Sequence, residues 1–287
     1  MSTSLDEYTN REPIAWCPGC GNFAILDCLK KALVELELPP HRVIVVTGIG
    51  QAAKLPHYMN VNTFNGLHGR EVASATAVKL AANDMTVVVH AGDGGCYGEG
   101  GNHLLHAIRR NIDISLIVHD NHYYGLTKGQ VSPTSPRGTV TSVHTRGVSL
   151  TPLNPMTLAI SQECGFVAQG SAAHKEHLID LMKRAVRHRG FSLVNVLQPC
   201  VTYDKIYTYQ YYKDHCRIVD GNHDPTDFEA SMRLARKGNY EGEIPIGLIY
   251  KKERPTLDEA LLQGHEKPLR DRETDPQKTK ELFDLFR

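Results

Sequence analysis

A short glycine-rich turn is the part of the sequence most indicative of chemistry. Gly92-Asp93-Gly94-Gly95 follows the run at 85–89, which is typical of a buried strand. Glycines let backbone N–H groups approach a phosphate closely, and a helix N-terminus after them favours negative charge. A carboxylate here would repel phosphate unless it bound a divalent cation between the two, and Mg²⁺ prefers such oxygen ligands. The turn therefore predicts a magnesium–phosphate site at Asp93.

A second oxygen ligand is expected at the end of the next strand, where Asp120-Asn121 stands. Asn121 follows Asp93 by 28 residues. Ligands of open α/β sheets bind at the carboxyl ends of the strands, so residues that close neighbouring strands can meet there. A Gly-Asp-Gly turn alone is usually an ordinary turn. The turn together with Asn121, each closing a buried strand, favours a metal-bound phosphate, with a nearby backbone carbonyl as a third ligand.

Cys17 and Cys20 form a second candidate site, a Cys-x-x-Cys pair near the N-terminus. The pair could be a thioredoxin-like motif, half of a zinc site, a structural pair or part of an iron–sulfur site, in which thiolates, typically four, hold the cluster. The thioredoxin-like interpretation is disfavoured because the pair follows polar residues and not a core strand. The chain has seven cysteines, an odd number, which argues against a disulfide framework.

The elements that must position these residues alternate between strands and helices along the chain. The predicted strands are 43–46, 85–89, 114–118 and 191–197, and the predicted helices are 22–37, 70–82, 99–110 and 174–187. This order predicts an α/β fold, doubly wound around a mainly parallel sheet. Residues 122–155 are rich in Gly, Ser, Thr and Pro, and a connection of that length is often functional.

The chain divides by composition near residue 200. Residues 1–200 are predicted to form the α/β domain, including the N-terminal Cys-x-x-Cys segment. Residues 201–287 are polar and aromatic, with few strand signals and a helical pattern at 276–286. We therefore expect 201–287 to be a C-terminal arm that packs on the core or on a partner subunit, and not a second domain.

The overall composition excludes several classes of protein. Lys plus Arg number 32 and Asp plus Glu number 32, so the basic excess of a nucleic-acid binder is missing. No apolar run approaches the roughly 18 residues of a membrane span. Residues 1–16 contain no apolar stretch typical of a secretory signal. We expect a cytoplasmic protein that binds neither nucleic acid nor membrane.

Six separated motifs narrow the interpretation. They are Trp16-Cys17-Pro18-Gly19-Cys20-Gly21, Gly48-Ile49-Gly50, Leu67-His68-Gly69-Arg70, Gly100-Gly101-Asn102-His103-Leu104, Tyr124-Gly125-Leu126-Thr127-Lys128-Gly129-Gln130 and Gln198-Pro199-Cys200. The Gly-Asp-Gly turn with Asn121 resembles the thiamine diphosphate motif. Together, from about residue 12 to about residue 260, these segments resemble the β subunit of the 2-oxoacid:ferredoxin oxidoreductases.

The resemblance implies a thiamine diphosphate site of the diphosphate-binding type. Asp93, Asn121 and the carbonyl of Tyr123 would bind Mg²⁺, and His68 would contact the diphosphate. The residues that would line the cofactor site are Ile49, Gly50, Gln51, Ala52, His68, Gly94, Gly95, Gly125 and Leu126. In this family the half that holds the aminopyrimidine usually belongs to a separate α subunit. The chain is therefore expected to be active only with an α partner, as an (αβ)₂ assembly.

The resemblance also implies a [4Fe-4S] cluster. Its family ligands are the Cys-x-x-Cys pair, a cysteine just after Gly-Ile-Gly and the cysteine of Gln-Pro-Cys. Cys17, Cys20 and Cys200 match, but Gln51 stands at the fourth position. The options are a substitute cysteine, for which Cys96 and Cys28 are candidates, a non-cysteine or open fourth site, or a labile cluster.

The activity implied is oxidative decarboxylation of a 2-oxoacid with coenzyme A, giving acyl-CoA, CO₂ and reduced ferredoxin, or the reverse carboxylation. Lys128 could pair with a distal substrate carboxylate, which favours 2-oxoglutarate, with pyruvate next. Two alternatives stay open. One is a non-oxidative thiamine-dependent 2-oxoacid decarboxylase subunit, which the change at Gln51 would allow. The other is a metal- or redox-binding module, which the Asp93–Asn121 pairing disfavours.

Overall fold

The centre of the protein is an eight-stranded sheet. The computed structural model describes residues 3–219, 221–237, 242–262, 267–273 and 275–286. The strands are β1 (Val43–Thr47), β2 (Asn62–Asn65), β3 (Thr86–Gly92), β4 (Ser115–Asp120), β5 (Tyr123–Tyr124), β6 (Gln130–Val131), β7 (Phe166–Ser171), β8 (Ser192–Leu197), β9 (Cys216–Ile218) and β10 (Ile244–Lys251). The sheet order is β2-β1-β3-β4-β8-β7-β10-β9, and β5 and β6 form a separate two-stranded ribbon.

The α-helices connect and cover these strands. They are α1 (Leu5–Tyr8), α2 (Gly21–Glu35), α3 (Glu71–Ala81), α4 (Gly101–Arg110), α5 (Pro155–Ser161), α6 (Lys175–Arg187), α7 (Tyr209–His215), α8 (Phe228–Arg236), α9 (Leu257–Leu262) and α10 (Pro276–Asp284). Short helical turns span Pro40–Arg42, Ala52–Tyr58 and Leu269–Asp271, and a π-helix spans Gly94–Glu99. In the described part of the chain, no helix combines the length and the apolar character needed to cross a bilayer.

Two apolar layers cover the two faces of the sheet. One contains α2 and α6, which bury Ile25, Leu29 and Leu181 against the strands. The other contains α3, α4, α5 and α8, which bury residues such as Leu104 and Ile160. The central strands are apolar along most of their length because both faces are covered. The sheet therefore holds its carboxyl edge rigidly, and the loops that leave this edge form the candidate site.

The predicted mainly parallel α/β fold is confirmed. All four predicted strands and all four core helices form, within a few residues of the expected bounds, and every pair in the main sheet is parallel except β7 with β10. The sequence pattern missed β2, β7, β9 and β10. Of these four, β2 and β9 are edge strands and β10 lies next to an edge. Strand formation at such positions depends on contacts with neighbouring strands more than on a local apolar run.

Part of the predicted C-terminal arm completes the sheet. β10 contains Pro245 and Gly247, both unusual inside a strand, which explains why the pattern at 244–251 looked weak. It pairs antiparallel with β7 and parallel with β9. The helix expected at 276–286 forms as α10. The division of the chain at residue 200 stays a prediction, but the segment after it packs on the core by extending its sheet.

Candidate active site

The candidate site lies at the carboxyl edge of the sheet, where β1, β3, β4 and β8 are parallel neighbours. A cavity of about 550 Å³, including its open mouth, lies at this edge. Every residue predicted to line the cofactor or to bind magnesium borders it. These residues are Ile49, Gly50, Gln51, Ala52, His68, Asp93, Gly94, Gly95, Asn121, Tyr123, Gly125 and Leu126. The fold thus brings together side chains from four separate segments.

The floor of the cavity is the turn between β3 and the π-helix. A methyl group on Gly94 would lie 2.3 Å from the ring of Tyr124, so only glycine fits beneath that ring. The first N–H groups of a helix have no partner within the helix, and they carry partial positive charge. The N-terminal end of the π-helix, which begins at Gly94, borders the cavity. The turn therefore fits a phosphate group, as its glycines predict.

Asp93 anchors a buried polar cluster on the face of the sheet covered by α3 and α4. It is 2% exposed, and its Oδ2 accepts hydrogen bonds from Ser132 and from Thr134 Oγ1 at 2.7 Å. Thr134 Oγ1 also lies 2.6 Å from Asp120 Oδ1. Asn195 Nδ2 donates to the other oxygen of Asp120 at 3.0 Å. The loop at 132–134 therefore folds back to link the ends of β3 and β4.

Two buried carboxyl groups and the His122 ring are the ionisable groups of this cluster, and their pKa values depend on one another. Burial and the neighbouring Asp120 carboxylate raise the pKa of Asp93. Burial by itself would lower the pKa of His122, but Asp120 at 3.3 Å raises it. Thr134 has a single hydroxyl proton for two carboxylates, so the second short contact requires a proton on one of them. A divalent cation bound at Asp93 would displace that proton.

The donors that face the cavity fit magnesium. Asp93 and Asn121 both border it and offer carboxylate and amide oxygens, the ligand type that Mg²⁺ prefers. Asn121 Oδ1 accepts from the N–H of Tyr123 at 2.9 Å, which fixes the amide oxygen at the start of β5. Asp93, Asp120 and His122 are also close enough to one another to surround a cation. Asp120 and His122 are fully buried and do not border the cavity, so Asp93 and Asn121 are the accessible pair.

Thr134→Val is expected to lower the free energy of unfolding of the metal-free protein by about 3 kcal/mol, because it leaves two buried carboxyl groups without their shared hydroxyl. Urea denaturation monitored by circular dichroism measures this change. Thr139→Val is the matched control, since Thr139 Oγ1 donates only to the carbonyl of Pro136 in the same loop. Equal losses in the two variants would contradict a bridging role for Thr134.

A second polar chain lies on the opposite face of the sheet, under α2. His119 Nδ1 lies 2.7 Å from Asn22 Oδ1, and His119 Nε2 lies 2.8 Å from His90 Nδ1. Burial lowers the pKa of His119 to about 3, so its ring is neutral. An amide oxygen only accepts, so His119 donates from Nδ1 and accepts from His90 at Nε2. Because successive side chains of β4 point to opposite faces of the sheet, His119 and Asp120 lie on opposite faces.

Cys17, Cys20 and Cys200 meet beside this second chain. The Cys20 thiol is buried, which raises its pKa to about 11, and the nearby Cys200 and Cys17 thiols add to the shift. Gln198 Nε2 donates to Cys20 Sγ at 3.7 Å, and Thr202 Oγ1 donates to Cys17 Sγ at 3.2 Å. Gln198 also borders the cavity. The three thiols thus lie one side chain away from the candidate cofactor site.

Gln51 lies between the cavity and the Cys17 segment. Its carbonyl accepts a hydrogen bond from Trp16 Nε1 at 2.9 Å, and its buried Oε1 has no partner. Among the described residues no fourth thiol joins the three. Cys28 donates to the carbonyl of Lys175 at 3.6 Å, and Cys96 is buried in the core on the other face. The three thiols fit an iron–sulfur cluster only in part, since a fourth ligand of the usual type is missing.

Lys128, the predicted substrate-binding residue, does not border the cavity. Its side chain is exposed, while the preceding Thr127 borders the cavity.

Sequence reasoning missed several functional candidates. Ser132, Thr134, Asn195, His119, Asn22 and Gln198 are polar residues buried at the site. Their signal was weak, because single polar residues in a loop or strand show their partners only after folding.

Comparison with protein families supports this geometry. Residues 43–196 match the C-terminal TPP-binding domain of thiamine pyrophosphate enzymes, and residues 200–266 match the C-terminal region of the pyruvate ferredoxin oxidoreductase β subunit. The first match covers the strands and turns that build the cavity. The second begins at Cys200 and includes β9 and β10.

Individual relatives agree with these matches. The chain is 40% identical over 259 residues to 2-oxoacid:ferredoxin oxidoreductase 1, subunit β, of Aeropyrum pernix, covering 86% of this chain and 81% of that protein. It is 40% identical over 194 residues to 2-oxoglutarate oxidoreductase subunit KorB of Mycobacterium tuberculosis, covering 68% of this chain and 52% of that protein.

A solved structure extends the similarity to the whole chain. The 2-oxoglutarate:ferredoxin oxidoreductase of Magnetococcus marinus, with 2-oxoglutarate, coenzyme A and succinyl-CoA bound, matches with a TM-score of 0.90 and 35% identity. The match covers 98% of this chain and 96% of that chain. On the combined evidence of the cavity, the family matches and these relatives, the protein belongs to the β subunits of the 2-oxoacid:ferredoxin oxidoreductases.

Proposed function

We propose that this chain, together with an α subunit, oxidatively decarboxylates 2-oxoglutarate with coenzyme A to succinyl-CoA, CO₂ and reduced ferredoxin, or catalyses the reverse carboxylation. The observation that carries the proposal is the cavity in which Asp93 and Asn121 meet the glycine turns of β1 and β3. Pyruvate is the next candidate substrate. The relatives named for 2-oxoglutarate support the order of preference.

Asp93, Asn121 and the carbonyl of Tyr123 are proposed to hold Mg²⁺, which would bind the diphosphate of thiamine diphosphate. His68 and the N–H groups of Gly94 and Gly95 would bind the remaining diphosphate oxygens. Ile49, Gly50, Gly125 and Leu126 would exclude water around the rest of the cofactor. The chemistry that thiamine diphosphate supplies when bound is a carbanion for addition to the keto carbon and an electron sink as CO₂ leaves.

The site needs a partner to be complete. No second thiamine-type half-site is found among the described residues, and apolar side chains such as Ile49 and Leu126 are 47% and 44% exposed at the cavity. An α subunit that supplies the aminopyrimidine half would cover them. We propose an (αβ)₂ assembly, with ferredoxin as the electron acceptor and Cys17, Cys20 and Cys200 as ligands of an iron–sulfur cluster.

The experiment that tests this function uses the αβ complex, purified without oxygen. With thiamine diphosphate, Mg²⁺, 2-oxoglutarate and coenzyme A, it should transfer two electrons to ferredoxin for each succinyl-CoA and each CO₂ formed. The non-oxidative alternative would release CO₂ and the aldehyde while ferredoxin stays oxidised. If the complex forms neither set of products from 2-oxoglutarate or from pyruvate, both candidate functions are contradicted.

Lys128→Met is expected to raise KM for 2-oxoglutarate about tenfold and to leave KM for pyruvate unchanged, because only the dicarboxylic substrate has a second carboxylate for the amine to pair with. Steady-state ferredoxin reduction with each substrate measures the two values. Lys175→Met is the control, since its amine lies 3.6 Å from Asp27 on the surface of α6 and α2. An equal rise for both substrates would refute the proposed role of Lys128.

A further inference from the structure

Glu71 is a buried carboxyl group beside the proposed diphosphate site. It stands at the start of α3 and is 2% exposed, and neither of its oxygens accepts a well-formed hydrogen bond, although the N–H groups of Glu71 and Gly69 lie near the carboxylate. A methyl group on Gly48 would lie 2.3 Å from Glu71 Oε2, and one on Gly95 would lie 3.4 Å from Oε1. The carboxyl group is therefore wedged between the turn after β1 and the start of the π-helix.

His68 brings a second unpaired atom to the same place. Its Nδ1 is buried without a partner and would lie 3.2 Å from the same methyl group on Gly95. Its Nε2 is 3.4 Å from Glu99 Oε2, with both side chains more than a third exposed. An acceptor at Glu71 and a ring nitrogen at His68 thus face one side of Gly95, and each lacks the partner that the other could supply.

Two unpaired polar groups buried side by side, the Glu71 carboxyl group and His68 Nδ1, suggest a functional role. Burying an unpaired polar group costs stability, so such groups are rare unless something else satisfies them. Burial raises the pKa of Glu71 to about 7, although the N–H groups of Glu71 and Gly69 face the carboxylate. Nearby Glu99 adds to this rise and Arg70 opposes it. Glu71 is therefore poised to hold or to release a proton near neutral pH.

We propose that Glu71 is a positioning residue for His68, and that it engages when a diphosphate enters the cavity. The carboxyl proton passes to the His68 ring: the O–H bond of Glu71 breaks and an N–H bond of His68 forms. The resulting imidazolium donates from Nδ1 to the Glu71 carboxylate and from Nε2, which leaves Glu99, to the diphosphate. A carboxylate behind a histidine fixes the orientation and protonation of its ring in this way. The inference rests on the proposed thiamine diphosphate site.

Titration calorimetry of thiamine diphosphate with Mg²⁺ into the cofactor-free αβ complex tests the proposal. Glu71→Ala should weaken binding about tenfold, the scale at which a group supporting a ligand acts. Glu71→Gln keeps an acceptor of the same shape but has no carboxyl proton to pass to His68, so its binding should lie between that of the wild type and that of Glu71→Ala. Glu163→Gln, on the surface beside Lys252, is the matched control and should bind as the wild type does.

The decisive comparison is a double-mutant cycle with His68→Ala. If Glu71 acts through His68, Glu71→Ala in the His68→Ala background should weaken binding less than about twofold, because the group it orients is already gone. Tenfold losses in both backgrounds would show a general structural role and overturn the proposal, as would wild-type affinity in Glu71→Ala. A wild-type complex that binds no thiamine diphosphate would instead refute the proposed function, so the two failures are distinguishable.

Discussion

Replacing Asp93 with asparagine is expected to lower the rate of 2-oxoacid-dependent ferredoxin reduction at least about a thousandfold. The loss follows from the charge of the site. Asp93 is the one carboxylate among the cavity-facing ligands, and removing it leaves a divalent cation with neutral oxygens against a diphosphate. Removing a single preorganised electrostatic group from an active site costs about 10²–10³ in rate, and loss of the cofactor's anchor adds to that. Calorimetry should show thiamine diphosphate binding that no longer depends on Mg²⁺.

The stability of the same variant separates a binding role from a structural one. Burial and Asp120 raise the pKa of Asp93, so the folded, metal-free protein binds a proton that the unfolded chain releases. The stability that this group contributes is present at low pH and is lost as pH rises through its raised pKa. Metal-free Asp93→Asn should therefore lose less stability with rising pH than the wild type. Thermal unfolding across the pH range measures this.

The control for Asp93→Asn is the same change at Asp180, a surface residue of α6 that pairs with Arg184 at 3.5 Å. Asp180→Asn should leave cofactor binding, turnover and pH dependence as in the wild type. An Asp93→Asn protein that binds magnesium and thiamine diphosphate normally would contradict the assignment. A variant that unfolds in the metal-free state at all pH values would show that Asp93 mainly supports the fold.

Replacing Cys20 with serine is the second change with a large expected effect. We expect iron and acid-labile sulfide to fall from about four of each per β chain, the content of one [4Fe-4S] cluster, to below about one. Ferredoxin reduction should fall by more than about a hundredfold, because only two of the three proposed thiolate ligands would remain to hold the cluster. Elemental analysis of the complex, purified without oxygen from its native host, gives the iron count.

Two further variants sharpen this test. Gln51→Cys places a thiol at the residue whose carbonyl binds Trp16, next to the Cys17 segment, and should slow the loss of iron to a chelator. Cys28→Ser is the control, because its side chain can keep the hydrogen bond to the carbonyl of Lys175 and the three-thiol site is untouched. Wild-type complex that decarboxylates oxoacids without any iron would favour the non-oxidative alternative and assign Cys17, Cys20 and Cys200 a structural role.

The main strands and the turns at their ends could be predicted from local sequence patterns. Apolar runs rich in β-branched residues predicted β1, β3, β4 and β8, because strands covered on both faces are apolar along most of their length. Glycine turns after β1 and β3 and the polar pair after β4 predicted where a phosphate and a cation would meet, since parallel strands end at one edge. These signals are local, and each depends on a few adjacent residues. The family resemblance came from the same short segments.

Which polar residues act together depends on the three-dimensional fold. Ser132 and Thr134 meet Asp93 because the loop after β6 folds back across the ends of two strands. β10 joins the sheet despite Pro245, because β7 and β9 offer it an edge on each side. The unpaired Glu71 and His68 lie in one chain segment, yet nothing in that segment indicates that both face Gly95. Such pairings depend on the packing of distant segments, which no local pattern records, whereas strand and turn preferences arise from the residues themselves.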